Sequence, residues 1–193
     1  MIRRSLLAFA LSLAIAGLPY RANARPAAIF DPYIGEIRSN LPAGWAMRLP
    51  SAILLDGPAD ANFTQQLIVK VLASKAPPLL TVSLMTCETG ASPCLLGSFS
   101  VDSQTSTSAQ QQLARHRAAA APISLEKGGR GYLVEGPSQR PPYPFSSVMW
   151  QQDGMIYTVT FPATERQNLL RMAYSMANSA PIQRLIVAPA SLP

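Results

Sequence analysis

Hydrophobic residues at every second position mark a strand pair in the segment SSVMWQQDGMIYTVTF, residues 146–161. Val148 and Trp150 precede an Asp153-Gly154 pair, and Tyr157 and Val159 follow it. Alternation of this kind is typical of strands with one buried face, and Asp-Gly favours a two-residue hairpin turn. The pattern therefore predicts a hairpin with Trp150 opposite Tyr157 and Val148 opposite Val159.

A second hairpin is predicted in ISLEKGGRGYLV, residues 123–134. The pair Gly128-Gly129 is a two-residue turn signal. A turn at that point would pair Leu125 with Tyr132 and Ile123 with Val134.

Three further apolar runs read as strands. Residues 79–87 and 94–101 are rich in Val, Leu, Thr and Phe and are separated by the turn-forming residues ETGASP. FTQQLIVKVL, residues 63–72, predicts a strand that is buried largely on both faces.

Two amphipathic helices complete the pattern, beside a short helix expected within residues 25–40. AQQQLARHRAAA, residues 109–120, follows serines and a threonine that suit an N-cap. Its apolar stripe is thin, which predicts a surface helix. TERQNLLRMAYSMANSAP, residues 164–181, begins with Thr164 and Gln167 at capping-box spacing and carries a stripe of Leu169, Met172 and Met176. This helix is expected to cover the apolar face of the sheet.

These elements predict an α+β fold: an antiparallel sheet of about five to seven strands with a C-terminal helix packed on one face. Residues 25–193 are expected to form a single α+β domain. The final residues, with Ile182, Leu185 and Val187, either add an edge strand or form a loose tail.

The first residues have the pattern of an export signal. Arg3 and Arg4 precede an apolar run from Leu6 to Leu18, and Ala22-Asn23-Ala24 offers small residues at cleavage spacing. We expect a signal peptide over residues 1–24, cleaved between Ala24 and Arg25, and a mature protein in the periplasm or another extracytoplasmic space. An uncleaved membrane anchor and a twin-arginine signal are the alternatives. After cleavage we expect no stable membrane insertion, because no later run approaches the ~20 apolar residues of a span.

The chain has two cysteines, Cys87 and Cys94, at the ends of the two strands that flank ETGASP. In an oxidising compartment two thiols usually pair, so we expect a disulfide at the mouth of a hairpin. A regulatory disulfide and unpaired thiols are the alternatives. Six intervening residues do not resemble a CxxC redox motif, and one histidine is too few for a structural metal site.

Charge gives little support for a nucleic-acid partner. The net charge of +6 includes Arg3, Arg4 and Arg21 of the predicted signal peptide, which leaves a mature chain with an ordinary balance. The remaining basic residues are scattered, and no nucleic acid is expected as a partner.

Two loops instead suggest a contact surface for a protein. They are the glycine-rich hairpin turn and the proline-rich stretch GPSQRPPYP, residues 136–144. Their candidate contact residues are Gly128, Gly129, Arg130, Arg140 and Tyr143.

His116 is the only histidine, so any Ser–His–Asp arrangement would have to use it as the base. It lies between Arg115 and Arg117 on the predicted surface helix, and no nucleophile is identifiable from the pattern. We predict no catalytic residue, no cofactor and no metal ligand.

The segment VMWQQDGMIYTVTFPATERQNLLRMAYSM resembles small extracytoplasmic α+β domains of unknown function in bacterial sporulation and anti-sigma-factor proteins. In those domains a Trp-bearing strand turns at a glycine, returns through a tyrosine and leads into a helix. Trp150, Gly154, Tyr157, Leu169 and Ala173 match that pattern.

The order of elements, with LPAGW near the start, is similar in topology to the PsbP/Mog1-like proteins. Both resemblances imply binding or assembly rather than catalysis. The sequence thus predicts an exported noncatalytic binding or assembly module of the bacterial cell envelope with an unidentified envelope protein partner. The alternatives are a small extracytoplasmic hydrolase that uses His116 and a carrier of a small apolar ligand beneath Trp150.

Overall fold

The structure is a computed structural model that describes residues 24–57, 61–88, 94–125 and 129–184. The helices are α1 (Ile34–Asn40), α2 (Ala61–Gln66), α3 (Thr107–Ala119) and α4 (Arg166–Asn178), with short 3-10 helices at Ala28–Tyr33, Gly136–Ser138 and Ala163–Glu165. The strands are β1 (Ala46–Met47), β2 (Ile68–Lys75), β3 (Pro78–Met85), β4 (Leu95–Ser103), β5 (Pro122–Ser124), β6 (Arg130–Val134), β7 (Phe145–Gln152), β8 (Met155–Pro162) and β9 (Ile182–Gln183).

Seven of the strands form one antiparallel sheet in the order β2-β3-β4-β8-β7-β6-β5. β1 and β9 pair separately as a small two-stranded sheet. The predicted α+β architecture, with a sheet of up to seven strands and a C-terminal helix packed against it, is confirmed. The sheet places β8 next to β4, although α3 and the strands β5 to β7 lie between them in the chain.

One face of the sheet, here called the α4 face, carries the main core. α4 buries the predicted stripe of Leu169, Met172 and Met176 against this face, together with Ala173. The N-terminal 3-10 helix and α1 extend the same layer over the other half of the sheet, with Phe30 and Ile37 fully buried. Burial of this continuous apolar surface is the main force that holds the two layers together.

The β7–β8 hairpin has the predicted register. Trp150 pairs with Tyr157 and Val148 with Val159, and the Trp150 and Tyr157 rings stack with centroids 5.4 Å apart. Asp153 and Gly154 form the turn with φ of 49° and 78°. Two consecutive positive φ values are what a type I′ turn requires, which explains why the Asp-Gly signal specified the register.

The β5–β6 register differs from the prediction. Ile123 pairs with Gly131 instead of Val134, and the Leu125 N–H donates to the Gly129 carbonyl, so the connection is longer than two residues. The predicted register would have placed Leu125 and Tyr132 on one face. In the structure Leu125 is buried on the α4 face, and its side chain and that of Ile123 lie over the bare backbone of Gly131.

Residues 63–72 were predicted as one strand, which is wrong in two respects. The segment begins in helix α2, and only the part from Ile68 onward is in β2. β2 is an edge strand whose second half is exposed, with Leu72 at 55%. The apolar residues do alternate along β2, but only its first half is covered by other elements. Alternation therefore predicted the strand and not the extent of its burial.

The capping box predicted at Thr164 and Gln167 is also wrong. α4 begins at Arg166 after a turn of 3-10 helix, and its N-cap residue Glu165 makes no side-chain capping bond. The Glu165 carboxylate instead accepts hydrogen bonds from the Asp56 N–H and the Asn168 side chain, at 2.9 Å each. These bonds tie the start of α4 to the loop after β1.

Cys87 and Cys94 form the predicted disulfide, with Cα atoms 5.4 Å apart. β3 and β4 pair antiparallel on either side of it, and the Thr86 N–H donates to the Cys94 carbonyl at 2.8 Å. The disulfide therefore joins the two ends of the loop between β3 and β4, where the hairpin prediction placed it.

The predicted signal peptide lies outside the described residues except for its last residue. The Ala24 carbonyl accepts a hydrogen bond from the Ala180 N–H at 3.2 Å, which cleavage after Ala24 would remove. Ile182 of the predicted tail lies in β9 and pairs with Met47 of β1, while Leu185 and Val187 lie outside the described residues. In the part of the chain that the structure describes, no helix is long and apolar enough to span a bilayer.

Candidate functional site

Helix α3 lies on the second face of the sheet, here called the α3 face. Ser106 caps the helix by accepting a hydrogen bond from the Ala109 N–H, as predicted for a serine at this point. Ala109 and Leu113 pack against Met149 and Ile156 in a small apolar cluster. The helix covers only part of this face, since its contacts are with β6, β7 and β8.

His116 fastens the helix to the sheet. Its Nδ1 lies 2.9 Å from the Gln112 carbonyl oxygen, and its Nε2 lies 2.8 Å from the Ser147 hydroxyl on β7. A carbonyl oxygen only accepts, so Nδ1 carries the proton and Nε2 accepts from the hydroxyl. Burial lowers the pKa of His116, and the bond to the Gln112 carbonyl opposes that shift in part. The imidazole is thus neutral near pH 7 and pairs with a serine, with a backbone carbonyl where a triad would have a carboxylate.

Hydroxyl side chains form a row across the sheet beside α3. Ser83 pairs with Ser98, Ser98 with Thr160, and Thr160 with Ser147, so four hydroxyls cross β3, β4, β8 and β7 in one line. Residues opposite each other on antiparallel strands point to the same face.

A second, shorter row runs parallel to the first. Thr81 pairs with Ser100, and Ser100 pairs with Thr158. The Thr81 and Ser100 hydroxyls are 2.9 Å apart. The two rows make this half of the α3 face polar, in contrast to the apolar α4 face.

Three hydroxyls of these rows, those of Ser100, Thr158 and Thr160, line a groove between α3 and the strands, here called the hydroxyl groove, with a volume of about 450 Å³. Its lining residues are Pro77, Leu79, Ser100, Asp102, Ser108, Ala109, Gln112, Met149, Ile156, Thr158 and Thr160.

Asp102 is the ionisable residue among them. Burial raises its pKa, while hydrogen bonds from the Ser103 N–H and the Ser106 hydroxyl lower it. The groove therefore offers many neutral hydrogen-bonding groups and one carboxylate.

The described members of the predicted contact set lie toward the two ends of β6. Arg130 begins β6, whereas Arg140 and Tyr143 lie in the loop that follows the far end of this strand. Tyr143 is 52% exposed and its ring packs beside Phe145. The Gly129 carbonyl accepts a hydrogen bond from the Leu125 N–H. Gly128 lies outside the described residues.

Two further cavities lie away from the α3 face. One of about 510 Å³ is lined by the N-terminal segment and α2, including Ile29, Tyr33 and Leu67. Another of about 330 Å³ lies between β5 and α4, beside Leu170 and Tyr174. Neither of these cavities nor the hydroxyl groove is lined by Trp150, whose ring is 1% exposed and stacks on Tyr157.

Sequence reasoning missed the hydroxyl groove, although a signal was present. Ser98, Ser100 and Asp102 occupy every second position of β4, and Thr158 and Thr160 do so in β8. Alternation of small polar with apolar residues is typical of a strand with one solvated face. That the two strands are neighbours was not readable from the same pattern.

Within the described ranges, no group of three or more His, Cys, Asp or Glu side chains is placed to hold a metal ion. Comparisons with protein-family models, with curated proteins and with solved structures found no match to this chain. The site must therefore be interpreted from its own geometry.

Proposed function

We propose that the protein is an exported noncatalytic binding module of the cell envelope and that the hydroxyl groove holds a segment of a partner protein. The observation that carries this proposal is the asymmetry of the sheet. Its α4 face is closed by α4 and the N-terminal segment, while half of its α3 face is an open groove floored by hydroxyls. Concave sites with a few fixed polar groups among apolar ones are the usual form of a binding site.

The chemistry of the groove indicates the kind of segment that fits it. Serine and threonine hydroxyls donate and accept, so they can pair with the backbone or the neutral side chains of an extended peptide. Asp102 adds a carboxylate beside the N-terminus of α3, which favours a partner segment with a lysine or an arginine. The hydroxyls of both rows belong to paired strands that are already ordered, so binding would cost little conformational entropy of the protein.

Site-specific photo-crosslinking in the native envelope tests this proposal. A photoreactive residue replaces Gln112, which is exposed on the groove wall, and a control carries it at Glu36, which is exposed on α1. We expect one discrete adduct from position 112 and none from position 36. The charged substitution Thr160→Arg should abolish the adduct, whereas Ser39→Arg on α1 should leave it. The same adducts from both positions, or none from position 112 in folded protein, would contradict the proposal.

A small hydrolase is the second candidate, because the Ser147 hydroxyl donates to the neutral His116 imidazole. The other ring nitrogen of His116 donates to the Gln112 carbonyl, which fixes the orientation of the ring. This is the arrangement that an activated serine needs. A fluorophosphonate probe distinguishes the candidates. Labelling of Ser147 that His116→Gln abolishes would favour the hydrolase, and an unlabelled folded protein would favour the binding module.

A further inference from the structure

A second pocket lies on the other side of α3 from the hydroxyl groove, and its charge is opposite. It has a volume of about 370 Å³ and is lined by residues that include Arg117, Arg130, Tyr132, Gln151 and Asp153. We call it the arginine pocket. Arg117 comes from the last turn of α3, and Arg130 and Tyr132 alternate on β6 so that both point to the α3 face.

The Arg117 side chain is held in place by an aromatic ring. Its guanidinium carbon lies 5.7 Å from the centroid of the Tyr132 ring, which is within the range of a cation–π interaction. A guanidinium stacked in this way keeps the N–H groups at its edge free to donate. The Tyr132 ring therefore orients Arg117 without neutralising it.

Among the described residues, no carboxylate forms an ion pair with either arginine of the pocket. The ion pairs among the described residues are Arg48 with Asp153 and Arg166 with Glu135, so neither Arg117 nor Arg130 has a carboxylate partner there. Asp153 lies in the pocket wall, but its Oδ2 is 2.7 Å from Arg48 Nη2 and its charge is balanced from the interior. Two guanidinium groups thus line one concave space, and no carboxylate in the described ranges pairs with either of them.

We propose that the arginine pocket binds a phosphate-type oxyanion carried by a larger molecule. Guanidinium groups donate pairs of N–H bonds that match the oxygens of a phosphate, and two of them can share one group. The Tyr132 hydroxyl adds a neutral donor at the same pocket, and the Gln151 amide, which donates one N–H to Gln104 Oε1, adds its second N–H. The volume exceeds that of one phosphate, so it also admits the group to which the phosphate is attached. The source is either a phosphorylated small molecule or a lipid headgroup.

This inference goes beyond the proposed function and is independent of it, because the two sites lie on opposite sides of α3. The first experiment is calorimetric titration of the mature protein with inorganic phosphate and with glycerol phosphate at low salt. We expect Arg117→Ala and Arg130→Ala each to weaken binding by about tenfold, as for loss of a charge-assisted hydrogen bond. Arg38→Ala removes an equal charge from exposed α1 and should leave binding unchanged. Tyr132→Phe keeps the ring under Arg117 and should weaken binding less than either arginine variant.

Vesicles distinguish the two sources. Sedimentation with phosphatidylglycerol vesicles that depends on Arg117 and Arg130, and is absent with phosphatidylcholine, would assign a lipid headgroup. Binding of glycerol phosphate without vesicle binding would assign a soluble phosphorylated ligand. Absence of binding to both probes by folded protein, or binding that Arg38→Ala weakens as much as Arg117→Ala does, would overturn the proposal.

Discussion

Arg48 brings a charged side chain into the interior, where only 9% of it is exposed. Its guanidinium donates to Asp153 and to the Ser179 carbonyl, while its Nε has no hydrogen-bond partner among the described residues. The Tyr157 hydroxyl beside it donates to the Ala46 carbonyl at 2.7 Å, and burial raises the pKa of Tyr157 to about 12. These bonds join β1, the β7–β8 turn and the end of α4.

Replacing Asp153 should therefore destabilise the protein, because Arg48 would stay buried without its charged partner. Asp153→Asn keeps a residue that tolerates the positive φ of the turn but removes the charge that balances the guanidinium. We expect the free energy of unfolding to fall by about 1–3 kcal/mol, as for a buried donor that loses its partner. Urea unfolding measures this.

Arg48→Met in the Asp153→Asn background provides the control. It removes the uncompensated charge and should restore most of the loss, so the double-mutant cycle reports the coupling of the pair. Equal losses in Asp153→Asn and in the double variant would show that the turn, and not the ion pair, is responsible.

His116 predicts how stability depends on pH. Burial lowers its pKa below the ordinary value of 6.5 in the folded protein, so the unfolded chain binds its proton first as the pH falls. Stability should therefore decrease as the pH falls from about 7 through 6.5 to the lowered folded pKa. Thermal unfolding across this range should show a decrease in the wild type and a flatter profile in His116→Gln.

Asp102 acts in the opposite direction in a more acidic range. Its folded pKa is raised above 3.8, so its contribution to stability is lost as the pH rises through that folded value. Asp102 contributes equally to the wild type and to His116→Gln, so the difference between their free energies of unfolding reports the contribution of His116. Equal pH profiles for the two proteins would contradict the role given to His116.

At the scale of secondary-structure elements, local signals predicted the fold where turn chemistry and side-chain alternation agreed. Asp153-Gly154 specified the β7–β8 register, and the stripe around Leu169 and Met172 specified which side of α4 is buried. The β5–β6 register failed because Ile123 and Leu125 must reach the α4 face, a requirement set by distant elements. The hydroxyl groove could not be predicted, because it depends on β4 pairing with β8 across about fifty residues of chain.

The β3–β4 hairpin gives a prediction at this scale. Its disulfide closes a loop of eight residues from Cys87 to Cys94, and in the chain-entropy model such a link stabilises by roughly 2.5 kcal/mol. We expect the double substitution of both cysteines by alanine to lower the free energy of unfolding by about that amount. Urea unfolding with and without a reductant measures it, since the reductant should destabilise the wild type and leave the variant unchanged. A wild-type midpoint that does not respond to full reduction would contradict this prediction.

At the scale of the whole molecule, one sheet separates two different environments. The α4 face is apolar and closed, and it accounts for the fold. The α3 face is polar and partly open, with a carboxylate in the groove on one side of α3 and, in the pocket on the other, two arginines that have no ion-pair partner among the described residues. Since most of the described apolar burial lies on the α4 face, we expect substitutions of exposed residues on the α3 face to cost little stability.

Export should decide the redox state of the whole molecule. If residues 1–24 direct the chain out of the reducing cytosol, the mature protein begins at Arg25 and its cysteines pair. A chain that lacks residues 2–24 stays in the cytosol, where thiols remain reduced.

After acid quenching, a maleimide reagent should modify both cysteines of the truncated chain and neither cysteine of the full-length product. Mass spectrometry of the full-length product should show Arg25 as its first residue. The truncated chain, oxidised after purification, should lose its reactive thiols, which shows that pairing depends on compartment and not on the presence of the signal. An intact full-length chain with two reactive thiols would contradict export and, with it, the envelope partner proposed for the hydroxyl groove.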